Sequence, residues 1–313
     1  MNVLKYGPDN RCEWNEFVTN SKNSHFMFHR DYMEYHADRF NDFSLIVRSE
    51  KDEIIGVMPA NLSRNIVYSH QGLSFGGLCL GSKATTSLVL EAFEAIVFFL
   101  KSNPLVDELI YKRMPDFYTT YPAQEDLYSL FRLSAQLYRR DVSVAVDLNR
   151  PLPFSKMRKR LVKKAQKNNV VFFEETCLSA FWKLLRETLQ LQHGVEPVHS
   201  LKEIETLRSK FPKNIRCFTA RKDCDVIAGV LIFETSDVVH TQYLANGVVG
   251  RELGGLDLVV SGLMEKYSGT KKILDFGIST EQGGVVLNAG LISQKEGFGA
   301  RALVHDFYRL TTR

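Results

Sequence analysis

At 313 residues the chain has room for about two domains of the usual ~100–200 residues each. Its 44% hydrophobic and 24% charged residues are ordinary for a soluble globular protein that buries a core without disulfides or metals. A net charge of +4 is too small by itself to imply nucleic acid. The cysteines (Cys12, Cys79, Cys177, Cys217, Cys224) show no CxxC and no metal-ligand spacing, so a reducing cytoplasm is the expected location. Met1 to Trp14 lacks the apolar core of a signal peptide. The most apolar stretch, Leu88 to Leu100, is broken by Glu91 and Glu94 and falls short of the ~20 residues of a membrane helix.

In chain order, Ser44 to Arg48 reads as a strand, Ser49 to Asp52 as a turn and Glu53 to Ala60 as its hairpin partner. A third strand spans Asn65 to Ser69. A Gly-rich loop, Gln71 to Gly77, leads to a helix over about Ala84 to Lys101, with Leu88, Phe93, Ile96, Val97 and Leu100 at helical spacing. Glu108 to Lys112 closes the series as a strand. Asn149 to Phe154, with two prolines and no apolar periodicity, is the best linker, giving domains 1–148 and 149–313. A basic helix follows (Ser155 to Asn168), then a strand (Val170 to Glu175) and a helix (Leu178 to His193).

The first order then recurs. Arg216 to Ala220 is a strand, Arg221 to Asp225 a turn, and Val226 to Glu234 and Val238 to Leu244 are strands. A Gly-rich loop, Asn246 to Gly255, precedes a helix to about Tyr267 and the strand Lys272 to Phe276. A short helix near Leu287 to Ile292 and a strand, Ala300 to Tyr308, end the chain. Ile55-Gly-Val-Met58 parallels Ala228-Gly-Val-Leu231, and Tyr68-Ser-His-Gln71 parallels His240-Thr-Gln-Tyr243. Hairpins feeding a crossover helix imply an α/β (α+β) fold with a mixed sheet and helices packed on it.

Three stretches carry a family likeness: Arg158-Lys-Arg-Leu-Val-Lys-Lys-Ala165 followed by Asn169-Val-Val171, Gly250-Arg-Glu-Leu-Gly-Gly255, and Asp275-Phe-Gly277 followed by Asn288-Ala-Gly-Leu291 and Gln294-Lys-Glu-Gly-Phe-Gly299. On these the chain resembles the GNAT acyltransferase superfamily, and its tandem arrangement looks like the duplicated FemAB-like branch. The whole chain is similar to GNAT-like proteins often encoded with surface polysaccharide or peptidoglycan functions. The resemblance implies two tandem GNAT-like domains, each a mixed, mostly antiparallel sheet flanked by helices. It implies an enzyme that moves an acyl or aminoacyl group from acyl-CoA, such as acetyl-CoA, to an amine or hydroxyl of a cell-envelope or glycan precursor. Arg251-Glu-Leu-Gly-Gly-Leu256 matches the family's pyrophosphate loop at its first four positions and departs at Leu256. The first copy lacks the leading Arg or Gln, so the second domain is the expected donor and catalytic side and the first the acceptor or structural side. An aminoacyl-tRNA donor is the alternative, although no coiled coil is evident. A non-catalytic binding protein on a decayed scaffold is the other.

The candidate site residues divide by role. In the second Gly-rich loop, Asn246, Gly250, Arg251, Gly254 and Gly255 form the expected cofactor-binding set, since glycines admit close approach and a helix start attracts phosphate; a plain turn is the alternative. Strand alternation places His240 and Gln242 on one face and Thr241 and Tyr243 on the other. His240 suits a general base or a satisfied core histidine. Asp275, at a strand end, suits proton acceptance or a helix cap. By resemblance Lys295 contacts substrate phosphate or stabilises developing charge, with Tyr243 assisting the leaving group; a solvated surface lysine is the alternative. Ser279 and Asn288 join Gln242 as substrate-binding residues, as do His70, Gln71 and Phe75 of the first loop, which could instead be a plain turn. Lys163 and Lys164 lie on the basic helix, a cradle for an anionic substrate or a solvated face. His193 and His199 could suit a metal but show no third ligand, so no metal is expected. Oligomeric state is left open.

Overall fold

The computed structural model describes residues 1–312, apart from the side chain of His193. It divides into two units: unit 1 is 1–141, 282–285 and 304–312, and unit 2 is 142–281 and 286–303. Unit 1 contains β1 (Asn2–Lys5), α1 (Arg11–Asn20), α2 (Arg30–Met33), β2 (Asn41–Asp42), β3 (Leu45–Arg48), β4 (Ile54–Met58), β5 (Asn61–Ser63), β6 (Ile66–Tyr68), β7 (Cys79–Leu80), α3 (Thr86–Lys101), β8 (Glu108–Lys112) and α4 (Glu125–Arg132). Strand β9 (Gln136–Asp147) begins in unit 1 and ends in unit 2. Unit 2 continues with α5 (Lys156–Lys167), β10 (Val170–Glu175), α6 (Ser179–His193), α7 (Leu201–Lys210), β11 (Ile215–Lys222), β12 (Asp225–Glu234), β13 (Val238–Asn246), α8 (Val248–Leu253), α9 (Gly255–Tyr267), β14 (Ile273–Ile278), β15 (Thr280–Glu281), β16 (Val286–Leu287) and α10 (Ala289–Glu296). The last strand, β17 (Arg301–Thr311), starts in unit 2 and runs into unit 1.

The repeat is visible as pairing. In unit 1, β3 and β4 form an antiparallel hairpin, and β6 before α3 pairs in parallel with β8 after it. In unit 2, β11, β12 and β13 are antiparallel neighbours, and β13 before α9 pairs in parallel with β14 after it. A strand that returns beside its predecessor in the same direction needs a crossover, and the helix supplies it. Helix α3 is capped by Thr85, which accepts the Leu88 N–H at 3.4 Å, and it buries Val89, Ala92, Phe93, Ile96, Val97 and Leu100. Helix α9 buries Leu256, Val259, Val260 and Leu263 in the unit 2 core beside Phe218, Val230 and Leu274. Each such side chain contributes about 1.5–3 kcal/mol on transfer from water.

Four sequence expectations change. The segment Asn246 to Gly255 is mostly helix α8 rather than open loop. Residues 136–147 and 201–210 are regular elements that the sequence reading passed over. Strand β17 pairs with β8 in unit 1, from Phe307 opposite Lys112 to Thr311 opposite Glu108, so the C-terminus does not belong wholly to the second domain. Its apolar residues Phe307 and Leu310, which lie on opposite faces of the strand, are both buried. No helix among the described residues is long and apolar enough to cross a membrane.

Candidate functional site

The polar residues of β13 and β14 converge because these strands run side by side, with His240 opposite Asp275. His240 Nδ1–H donates to Asp275 Oδ2 at 2.7 Å. The other carboxylate oxygen accepts the Ser143 hydroxyl at 3.0 Å and the Gly277 amide N–H at 2.9 Å. Asp275 is 1% exposed, so its charge rests on these donors rather than on water. With Nδ1 donating, the neutral imidazole carries its lone pair on Nε2, which has no protein partner among the described residues. A buried carboxylate that orients a histidine in this way leaves the imidazole ready to take a proton.

Lys295, on α10, anchors the chain just beyond the dyad. Its ammonium donates to the Gly277 carbonyl at 2.9 Å, the Ile278 carbonyl at 2.7 Å and Ser279 Oγ at 3.0 Å. Burial pushes it down to about 8, against a smaller upward pull from Asp275. All three of its N–H groups are committed within the protein, so Lys295 and Ser279 fix the turn after β14. Asn288 caps α10, accepting the Leu291 N–H at 2.9 Å and donating to Glu281 at 2.7 Å.

Tyr243 and Gln242 lie differently from the alternation expected of them. The register shifts in β13: Leu231 faces Tyr243 and Ile232 faces Thr241, which leaves Gln242 bulged. The Tyr243 hydroxyl accepts the His199 amide N–H at 3.2 Å and lies 2.6 Å from His199 Nδ1. Its ring meets Trp182 edge-on, and burial pushes its pKa up to about 12. No hydrogen bond joins it to the dyad. The His193 side chain lies outside the described residues, and no group of three metal-ligating side chains occurs among those described.

The Gly-rich segment owes its glycines to packing. A Cβ on Gly250 would lie 2.2 Å from the Ile227 carbonyl oxygen. Gly254 combines φ +81° with a Cβ position 2.4 Å from the Leu161 carbonyl oxygen of α5. Gly255 begins α9 against Ala228, and Asn246 Oδ1 is buried without a partner among the described residues. Arg251 donates to the Asn246 carbonyl at 3.0 Å. The first turn of α9 already holds a carboxylate: Asp257, 3% exposed, accepts from Arg158 at 3.0 Å. Burial pushes the Asp257 pKa up, and Arg158 opposes this. On α5, Lys163 and Lys164 are exposed and form no ion pair among the described residues, as are Lys156, Lys159, Arg160 and Lys167.

In unit 1, Phe75 is core rather than groove wall, packed against His25, Phe28 and Tyr118. Gln71 is tied to Asn61 at 2.7 Å through its side chain. His70 alone of the three lines a cavity. Ser143 was missed although Val142, Val144 and Val146 alternate around it. Arg158 was read only as part of a charged face.

No protein-family model and no curated protein sequence matches the chain. Solved structures do. FemX superposes with a TM-score of 0.69 at 9% identity, over 99% of this chain and 97% of that one. The C-terminal domain of a putative lysylphosphatidylglycerol synthetase from Agrobacterium fabrum gives 0.62 at 9% identity, over 97% and 92%. A tandem GNAT protein from the clavulanic acid biosynthesis pathway gives 0.50 at 10% identity, over 100% and 98%. At such identities the likeness is one of fold, and the residue motifs and the repeated pairing agree with it: the chain has the FemAB-like tandem GNAT fold.

Proposed function

We propose that unit 2 is an acyltransferase in which the His240–Asp275 dyad is the general base. The observation that carries the reading is the 2.7 Å hydrogen bond from His240 Nδ1 to a buried carboxylate, with Nε2 left unpartnered. An acceptor amine or hydroxyl attacks an activated acyl carbonyl and loses its proton to Nε2, while Asp275 stabilises the imidazolium; the bond from the carbonyl carbon to the donor's leaving group then breaks, and that group, the thiolate of CoA for an acyl-CoA donor, takes the proton from Nε2 as it departs. Lys295 acts as a positioning residue for the turn at Gly277 to Ser279. The fold shared with FemX and with a tandem GNAT protein supports acyl or aminoacyl transfer as the reaction class. Acyl-CoA is the proposed donor, bound near Asn246 to Gly255, and the proposed acceptor is a cell-envelope or glycan precursor.

The test is thiol release from a panel of short-chain and long-chain acyl-CoAs, with amino sugars and peptidoglycan peptides as acceptors. His240→Ala should lower turnover by about 10²–10⁴-fold with the fold intact. Turnover unaffected by His240→Ala removes the dyad from the mechanism. One observation favours a second donor, aminoacyl-tRNA: the exposed, unpaired cations of α5, including Lys163 and Lys164. Acyl transfer from charged tRNA in the absence of any CoA turnover would select it.

A further inference from the structure

Unit 1 holds a cavity of about 230 Å³, lined by residues within 30–42 and by His70. It is smaller than the ~300–1,000 Å³ of ordinary ligand pockets, so its occupant is a single ring or short chain and not a nucleotide. Met33, Ala37 and the Phe40 ring supply an apolar wall, and Ala37 is exposed, so the cavity opens to solvent on that side.

One polar group in the lining is uncommitted. His70 is 3% exposed, and its Nδ1 accepts the Gly72 amide N–H at 3.2 Å. Nε2 therefore carries the ring proton, and it has no acceptor among the described residues. A donor on the wall of a narrow cavity with no protein partner is placed to complete its hydrogen bond to a ligand acceptor. Burial, with His36 and Lys112 adding to it, pushes the His70 pKa down to about 3, so the ring stays neutral at ordinary pH.

The charged lining does not suit an anion. Arg30, the one cation among the lining residues, donates to Glu34 at 3.2 Å, to Ser44 at 3.2 Å and to Asp42. Its guanidinium also lies 3.7 Å above the Tyr6 ring. Glu34 and Asp42 leave the lining with more negative than positive charge, so a phosphate or carboxylate would meet repulsion and no free cation. Asn41, at the same cavity, is exposed and offers an amide that can both donate and accept.

From these features we infer that the unit 1 cavity binds a small uncharged molecule that sets a flat apolar body against Phe40 and Met33 and an amide or carbonyl oxygen on His70 Nε2–H. The inference does not rest on acyl transfer in unit 2, and its test reads binding alone.

The test compares neutral and anionic probes of one shape on the full chain. Benzamide, nicotinamide and acetanilide are titrated against benzoate and inorganic phosphate, following the histidine side-chain N–H signals by ¹H–¹⁵N NMR. At least one amide should move the His70 Nε2–H signal saturably, with benzoate and phosphate bound at least about tenfold more weakly. His70→Phe should weaken amide binding by about tenfold, the loss of one buried hydrogen bond. Should that variant fail to fold, Ala37→Leu decides, since it fills the cavity and leaves His70 in place; it should abolish the shift. No saturable shift with any amide, equal or tighter binding of benzoate or phosphate, or amide binding unchanged in Ala37→Leu would each overturn the assignment.

Discussion

Asp275 accepts the Nδ1–H of His240 at 2.7 Å while itself almost wholly removed from solvent. The carboxylate therefore sets which ring nitrogen holds the proton. Asp275→Asn keeps the shape but can turn an N–H₂ toward the ring and favour the wrong tautomer. Turnover in the acyl-transfer assay should fall by about 10²–10⁴-fold, with the circular dichroism spectrum unchanged. Ser143→Ala removes one donor to the same carboxylate, leaves His240 and Gly277 in place, and should cost less. Equal losses from both variants would show that the carboxylate acts through burial alone.

Lys295 predicts a pH dependence of stability. Its folded-state pKa is about 8, against an ordinary 10.5. Between these values the unfolded chain binds more protons than the folded one, so stability rises with pH across the window and is lost as pH falls through about 8. Lys295→Met should flatten that rise in urea melts run across the window. A variant with the wild-type slope would assign the rise to other groups.

Two of the positive-φ glycines, Gly254 and Gly269, form a matched pair. A Cβ at Gly269, φ +72°, meets nothing within 4 Å, whereas at Gly254 it meets the Leu161 carbonyl oxygen at 2.4 Å. Gly269→Ala should cost only the left-handed conformational penalty, about 1–2 kcal/mol. Gly254→Ala should cost clearly more, because α5 and α9 must separate. Denaturant unfolding of the two variants gives the comparison, and similar losses would show that α5 gives way freely.

Lys163 and Lys164 separate the two donor readings. Neither has a partner to lose, so Lys163→Glu with Lys164→Glu should alter stability by no more than about 0.5 kcal/mol per site. Under the aminoacyl-tRNA reading, the double variant lowers tRNA affinity and makes the salt dependence shallower by about one phosphate per lysine. Under the acyl-CoA reading, CoA turnover is unchanged.

Much of the fold was legible because it is written in local periodicity. The strands Glu108–Lys112 and Val170–Glu175 match their expected bounds, and α3 follows a helical stripe. Strand β9 was readable in Val142, Val144 and Val146, but its first half, Gln136 to Arg140, sets Leu137 and Tyr138 side by side among polar residues without alternation and hid it. Helix α7 announced itself by a capping box, with Ser200 accepting the Glu203 N–H and Glu203 accepting the Ser200 N–H at 2.6 Å.

What the residues did not disclose depends on partners distant in the chain. The bulge at Gln242 exists only against β12, and it upsets the alternation that put His240 and Gln242 on one face and Thr241 and Tyr243 on the other. Neither the substrate-phosphate contact that resemblance implies for Lys295 nor the alternative of a surface lysine discloses its hydrogen bonds to Gly277, Ile278 and Ser279. The glycines of Asn246 to Gly255 look like a ligand cradle in sequence; in the fold, neighbouring carbonyls account for Gly250 and Gly254.

Strand β17 ties the birth order of the chain to its assembly. Unit 1 is translated first, yet the strand that pairs with Glu108–Lys112 is supplied by 307–311, which follow all of unit 2 in the chain. Until then β8 keeps an open edge, although the whole of unit 2, which ends at 303, has already been synthesised. Unit 1 can thus complete its sheet only after unit 2 has been made, so a chaperone that shields exposed strand edges would act on unit 1 rather than on unit 2.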